Sequence, residues 1–332
     1  MRTPGLRHLR RLARRLPAPA RRVLRTARRR LTSPSPPAAP TAEGESADPT
    51  HLDRVVTMTL AASPMADPVP APIVLRAPAT MYVPRVLSKV GLAAYEPYAV
   101  DCFLAMVDLA PPGAVFDVGA NVGVYGHLAA SYSEREVHLF EPTPEAVEVA
   151  RAARLRPGAR LTVVQAAAGE ASGSARLYLS ERTDSSNSLN AGFRAHSGFI
   201  DVPVERLDDY VERTSAVPGV IKIDTETTEP QVIAGASRTI AEHRPWLMVE
   251  VLAGRSEAHL DEVLRPFGYT WYHLNGPGRL SPTDEFVGDS TYQHLMYLAL
   301  PEPAPDQLWD RMAAWREALA ASTVTTALEP RS

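Results

Sequence analysis

The side chains best placed to do chemistry stand in the segment 115–125, VFDVGANVGVY. An apolar run ends in Asp117, a loop holding Gly119, Asn121 and Gly123 follows, and helical periodicity begins at once. A loop at the carboxyl end of a parallel strand is where open α/β sheets bind ligands, and glycines there let backbone approach a bound molecule with no Cβ in the way. The spacing is not the dinucleotide fingerprint, because Gly119 and Gly123 are four apart with Asn121 between them. No Gly-Lys-Ser/Thr follows, which excludes a phosphate loop. The next apolar run ends in Glu141, whose carboxylate can accept both hydroxyls of a ribose. Standing just before Thr143 and Pro144, Glu141 also suits the approach to a helix start. Glycine loop and ribose acid without a pyrophosphate cradle fit a nucleoside better than a dinucleotide.

A second acidic group, Asp224, Glu226 and Glu229, follows the run VIKID. Three carboxylates at a strand end can hold a divalent cation, supply a general base, or favour the amino end of the next helix. Glu229 before Pro230 suits the helix start, and Asp224 is the strongest of the three for function. The nine histidines show no H-x-x-x-H or related ligand spacing. His127, His138 and His273 read as packed or alternating positions within elements, so no metal site is expected. Ser185, Ser186 and Ser188 lack the G-x-S-x-G setting of a hydrolase nucleophile; they read as a polar surface turn.

These groups need a scaffold, and the pattern around them supplies one. Short apolar runs at 114–118, 136–140, 161–166, 220–224, 246–251, 269–273 and 292–300 alternate with helical periods at 124–132, 144–155, 229–242 and 256–266. That alternation predicts an α/β fold with a parallel sheet. Two excursions interrupt it, an exposed strand at 174–180 and a strand leading into a short helix over 199–213; a terminal helix is predicted over 305–320 and a frayed tail over 321–332. Fourteen of the 31 prolines precede residue 85, and 32–50 is Pro, Ala and Ser with little to bury. A Pro/Ala-rich linker and lead-in over 32–79 followed by a domain over 80–320 is therefore expected.

The net charge of -3 averages two unlike parts. Twelve of the 35 basic residues are arginines within the first 30 positions, where there is no acid, leaving a body of 23 basic against 38 acidic side chains. An acidic body repels polyphosphate, so no nucleic-acid partner is expected. The segment 1–31 reads as a disordered arm or as two short cationic amphipathic pieces able to lie on an anionic membrane surface. No apolar run follows its arginines, so it does not read as a secretory signal. Cys102 stands alone, which excludes an intrachain disulfide and suits a reducing, cytoplasmic setting with peripheral membrane contact through the arm.

Taken together, FDVGANVG at 116–123, FEPTP at 140–144, DSSNSL at 184–189, VERLDDY at 204–210, IKIDTETTEPQVIAGA at 221–236 and PWLMVEV at 245–251 resemble the FkbM family of S-adenosyl-L-methionine-dependent methyltransferases. The resemblance implies a Rossmann-like, seven-stranded class I methyltransferase sheet, mostly parallel with an antiparallel last strand. It implies that Asp117, Gly119, Asn121 and Gly123 line the methionine and ribose part of the cofactor, that Glu141 takes the ribose hydroxyls, and that Ala167 and Ala168 meet the adenine through backbone groups. Asp224 would orient or deprotonate the acceptor, with Glu226 or Glu250 as secondary candidates. The implied activity is O-methylation of a hydroxyl on a sugar, glycan or polyketide-like small molecule. A non-catalytic binding module and a nicotinamide-dependent oxidoreductase are the alternatives. The chain departs from the family at Thr227, where glycine is usual; a β-branched residue there disfavours a positive φ.

Overall fold

The computed structural model describes residues 49–65 and 69–331. The arm at 1–31 and the linker to residue 48 lie outside the described residues. The described chain begins with strands β1 (Leu52–Thr59) and β2 (Ile73–Pro78), then helices α1 (Tyr82–Ala94) and α2 (Ala99–Leu109). The alternating part follows: β3 (Ala114–Val118), α3 (Val124–Tyr132), β4 (Val137–Phe140), α4 (Pro144–Ala152) and β5 (Leu161–Val164). The excursion comprises β6 (Ala167–Ala168), β7 (Gly173–Ser180), β8 (His196–Glu205) and α5 (Leu207–Thr214). Alternation resumes with β9 (Pro218–Ile223), α6 (Glu229–Gly235), α7 (Ser237–His243), β10 (Trp246–Glu250), α8 (Glu257–Leu264), β11 (Thr270–His273) and β12 (Met296–Leu300). Helix α9 (Asp306–Ala320) and β13 (Thr323–Pro330) close the chain.

All seven predicted sheet strands assemble, in the order β11-β12-β10-β9-β3-β4-β5. Strand β12 runs antiparallel to both β10 and β11, while β10, β9, β3, β4 and β5 are parallel to one another. This is the expected mostly parallel sheet with an antiparallel last strand. Successive strand residues face opposite sides, so one strand serves two cores. Val115 joins the core containing α2 and α9, while Phe116 and Val118 join the core beneath α5 to α8. Met248 and its neighbours Leu247 and Val249 divide in the same way.

Both predicted boundaries move. Strand β13 pairs antiparallel with β1 from Leu52↔Pro330 to Thr59↔Thr323, and β1 pairs with β2, so the lead-in and the expected frayed tail form a second sheet. Val56, Met58, Ile73 and Leu75 are fully buried in the core that holds Leu87 and Trp315. The tail reads as polar because its threonines lie on an edge strand with a solvated face; backbone pairing with a distant segment is what orders it. The alternating pattern assigns nothing to 82–109, where α1 and α2 form. Helix α2 is buried on nearly every face, which removes the amphipathic period that would reveal it. The single helix predicted over 229–242 is two, broken at Ala236. Among the described residues no single helix is long and apolar enough to cross a membrane.

Candidate functional site

The carboxyl ends of β3, β4, β9 and β10 open onto a cavity of about 770 Å³. Gly119, Asn121, Glu141, Ala167, Ala168, Asp224, Glu226 and Glu250 all line it, together with Ser185, Ser186 and Ser188. Asp117 and Gly123, expected beside the cofactor, stand behind the lining. Asp117 is fully buried; its Oδ2 accepts the Gly126 N–H at 3.0 Å, which pins the first turn of α3 beneath the loop.

The glycines answer to the fold before they answer to any ligand. Gly119 has φ 78 and Gly123 φ 81, a region that side chains rarely adopt. A Cβ on Gly119 would lie 1.7 Å from the Asp224 carbonyl oxygen, and one on Gly123 would lie 2.7 Å from the His127 ring and 2.8 Å from Leu139. Between them Asn121, at φ 50, donates its N–H to Glu141 Oε2 at 2.8 Å, and Thr143 N–H donates to Oε1 at 2.7 Å. Each Glu141 oxygen keeps a lone pair for a ligand hydroxyl, because a carboxylate has about four acceptor positions. Burial pushes the Glu141 pKa up against those backbone donors. The helix-start reading of Glu141 also holds, since Thr143 is the N-cap of α4. Asn121 Oδ1 is buried without a hydrogen-bond partner. An orphaned acceptor beside a ribose-type acid fits a nucleoside with donors of its own.

Lys222 organises the centre of the floor, and the sequence reading missed it. Lys222 is 2% exposed, and its Nζ lies 3.0 Å from Asp224 Oδ2, 3.6 Å from Asp117 Oδ1 and 4.7 Å from the centre of the Tyr125 ring. Burial pushes the lysine pKa down, but Asp224, Asp117 and Glu96 outweigh it and hold the ammonium above the ordinary lysine value. The available signal was a lysine inside an apolar strand, two residues before Asp224 and so on the same face. Glu96 was missed as well. It lines the cavity from the link between α1 and α2, and its Oε2 accepts the Tyr125 hydroxyl at 2.6 Å.

The acidic group after β9 divides by role. Glu229 Oε1 accepts the Thr225 N–H and hydroxyl at 2.8 and 3.0 Å and the Thr227 N–H at 3.1 Å, so it ties the turn to the start of α6. Within that turn Glu226 has φ 56 and Thr227 φ 87, the positive value that makes threonine costly there. Burial and the neighbouring Asp224 push the Glu226 carboxyl up to about 8, opposed by Arg194, whose Nη2 is 3.9 Å away. Glu250 is pushed well above the carboxylate range by burial, then by Asp224 and Glu226. Burial and the surrounding carboxylates favour the protonated form of both, which disfavours either as a base. Among the described residues no group of three or more His, Cys, Asp and Glu side chains is placed to hold a metal ion.

The segment between β7 and β8 forms a wall of the cavity. The Ser188 hydroxyl donates to the Glu226 carbonyl at 2.6 Å, and Asp184 Oδ1 accepts the Tyr82 N–H at 2.9 Å. His127, His138 and His273 are packed within the fold. His127 Nε2 lies 3.0 Å from the Ala150 carbonyl, with its pKa pushed down to about 4 by burial. His138 Nδ1 lies 2.7 Å from the Tyr210 hydroxyl, and His273 Nε2 lies 2.8 Å from the His294 carbonyl.

Residues 117–270 match the methyltransferase FkbM domain. The chain is 31% identical over 167 residues, 40% of its length, to the 31-O-demethyl-FK506 methyltransferase FkbM of Streptomyces tacrolimicus, and spans 64% of that protein. Among solved structures it is similar to a methyltransferase FkbM from Methylobacillus flagellatus KT, with 18% identity and a TM-score of 0.37 over 57% of this chain and 43% of that one. It is also similar to the magnesium protoporphyrin IX methyltransferase ChlM of Synechocystis PCC 6803, with 11% identity and a TM-score of 0.32 over 61% and 76% of the two chains.

Proposed function

We propose that this chain, whose residues 117–270 match the methyltransferase FkbM domain, transfers the methyl group of S-adenosylmethionine to a hydroxyl on a sugar, glycan or polyketide-like small molecule. The observation that carries the reading is one cavity edged by the glycine loop, the half-saturated Glu141 carboxylate and the Lys222–Asp224 pair. The name of the Streptomyces relative, a methyltransferase of a 31-O-demethyl compound, supports an oxygen acceptor.

The bound cofactor supplies a methyl group already activated by its sulfonium. What remains for the chain is to bind, to orient and to manage one proton. Glu141 takes ribose hydroxyls on the lone pairs left by its two backbone donors, and Asn121 Oδ1 accepts a further donor. Ala167 and Ala168 form the wall for the adenine. Asp117 acts at one remove, holding Gly126 and Lys222. Asp224, fixed by Lys222 and open to the cavity, orients the acceptor hydroxyl and receives its proton. Glu226 and Glu250, whose surroundings favour the protonated form, serve as hydrogen-bond donors instead.

The test is incubation with S-adenosylmethionine carrying an isotope-labelled methyl group and an extract of the producing cell, followed by mass spectrometry of the product. Label on an oxygen is expected; label on nitrogen or carbon overturns the acceptor assignment. Failure to bind S-adenosylmethionine in calorimetry overturns the enzyme reading in favour of a binding module. Asp224→Asn is expected to lower kcat by about 100-fold or more, and full turnover in that variant removes Asp224 as the base.

A further inference from the structure

We propose that the Glu96 carboxylate receives the α-ammonium group of the cofactor's methionine moiety. The inference rests on the S-adenosylmethionine reading of the cavity and assigns a cofactor contact to a residue outside the segment 117–270.

The backbone presents Glu96 deliberately. Glu96 has φ 47 and Tyr98 φ 70, so two side-chain-bearing residues are left-handed within the short link between α1 and α2. Such conformations persist only where the surroundings over-determine them, and they gather at ligand sites. The Glu96 carbonyl accepts the N–H groups of Ala99 and Val100, at 3.1 and 3.3 Å, which locks the start of α2. Its carboxylate is held by the Tyr125 hydroxyl on the first turn after the glycine loop. Glu96 is therefore tied to the helix that the cofactor loop feeds.

The charges on the floor set Glu96 apart. Asp117 and Asp224 share the Lys222 ammonium, Glu226 faces Arg194, and both Glu141 oxygens already accept backbone N–H groups. Burial and the acids beside it push the Glu250 pKa up, favouring its neutral form. Glu96 is held instead by a phenol hydroxyl, that of Tyr125. Burial and Asp224 push the Glu96 pKa up while Lys222 and that phenol push it back, so an arriving ammonium adds to the side that favours the charged form.

The polarity of the walls fixes which end of the cofactor arrives there. Beyond Glu141, Ala167, Ala168, Leu177 and Phe140 give the lining an apolar stretch suited to a base, beside the polar segment 182–188. On the β3 and β9 side the lining includes the charged groups Glu96, Lys222 and Asp224 beside Tyr95 and Tyr125. With its ribose on Glu141, the cofactor turns adenine toward the alanines and its charged amino-acid arm toward Glu96.

Calorimetry with two ligands tests this. S-adenosylhomocysteine carries the ammonium, whereas 5′-methylthioadenosine keeps adenine, ribose and sulfur but lacks the amino-acid arm. Glu96→Gln is expected to weaken S-adenosylhomocysteine about tenfold or more and to leave methylthioadenosine within twofold. An unchanged affinity for S-adenosylhomocysteine, or equal weakening of both ligands, overturns the assignment. A second measurement uses the unaltered protein with S-adenosylhomocysteine and its analogue lacking only the amine. The analogue is expected to bind about tenfold more weakly, and equal binding overturns the proposal even where Glu96→Gln fails to fold. Wild-type protein that binds none of these ligands defeats the methyltransferase reading itself, a result distinct from loss of ammonium recognition alone.

Discussion

The Asn190 amide donates to the Thr227 hydroxyl at 3.0 Å, tying the cavity wall between β7 and β8 to the turn that carries Glu226. Where the family's usual glycine would sit without strain at φ 87, this chain has threonine and a side-chain tether. Strain of about 1–3 kcal/mol is set against a hydrogen bond of about 1 kcal/mol and the lower chain entropy of a non-glycine residue. Thr227→Gly is therefore expected to change global stability by less than about 1 kcal/mol in urea unfolding. Amide exchange across 183–194 is expected to quicken about fivefold, as a bond of that size implies. Thr227→Ser, which keeps the hydroxyl, should restore the slow exchange, and Asn190→Ala should reproduce the loss. Unchanged exchange in Thr227→Gly would show that the tether does not order the wall.

Lys222 is the only cation within 4.0 Å of Asp117 among the described residues, and Asp117 is fully buried. Removing one partner of a buried pair leaves the other charged and unsolvated, at a cost of about 3–5 kcal/mol. Lys222→Met is expected to lose that much at pH 7 by urea unfolding and less at pH 5, because Asp117 then escapes the penalty by taking a proton. Lys222→Met combined with Asp117→Asn should cost less than the two changes summed. Additive costs would count against the pair as a unit.

The pH dependence is reversed from the usual carboxylate case. The folded pKa of Glu226 is about 8 and that of Glu229 about 7, both above the ordinary 4.5. Between those values the unfolded chain has released protons that the folded protein keeps, so the contribution of these two groups to stability declines as pH rises from about 4.5 to about 8. Glu226→Gln removes its share of that slope. Discounted for partial exposure, the gain at pH 8.5 relative to pH 5 is on the order of 2 kcal/mol, read from melts across the range. A variant whose slope matched the wild type would place the Glu226 carboxyl in its ordinary range.

Gly119→Ala should unfold the protein before any question of cofactor arises. The new Cβ meets the Asp224 carbonyl oxygen, which belongs to the backbone and cannot swing aside. A loss of roughly 3 kcal/mol or more is expected in the absence of cofactor. Gly276→Ala, with open space around it, should stay within about 0.5 kcal/mol. A stable Gly119→Ala protein that merely bound cofactor weakly would return the glycine to a ligand role.

The linear order of residues determined the parts of this protein that depend on local periodicity. Apolar runs of strand length separated by helical periods specify a parallel sheet, because a strand buried on both faces must be apolar throughout. Asp117, Gly119, Glu141 and Asp224 were visible because each ends or directly follows such a run, and strand ends in this fold converge on one crevice. Tertiary structure decided what depends on partners far away in the chain. Thr323 to Pro330 looks like a tail until β1 offers its edge. Lys222 looks like an irregularity in an apolar strand until Asp117 and Asp224 are brought to either side of it. Glu96 carries no mark at all until the link between two unforeseen helices sets it against Tyr125. Periodicity reports which face of an element is buried. It says nothing of which charges meet there, and the energy of a buried charge depends almost wholly on that meeting.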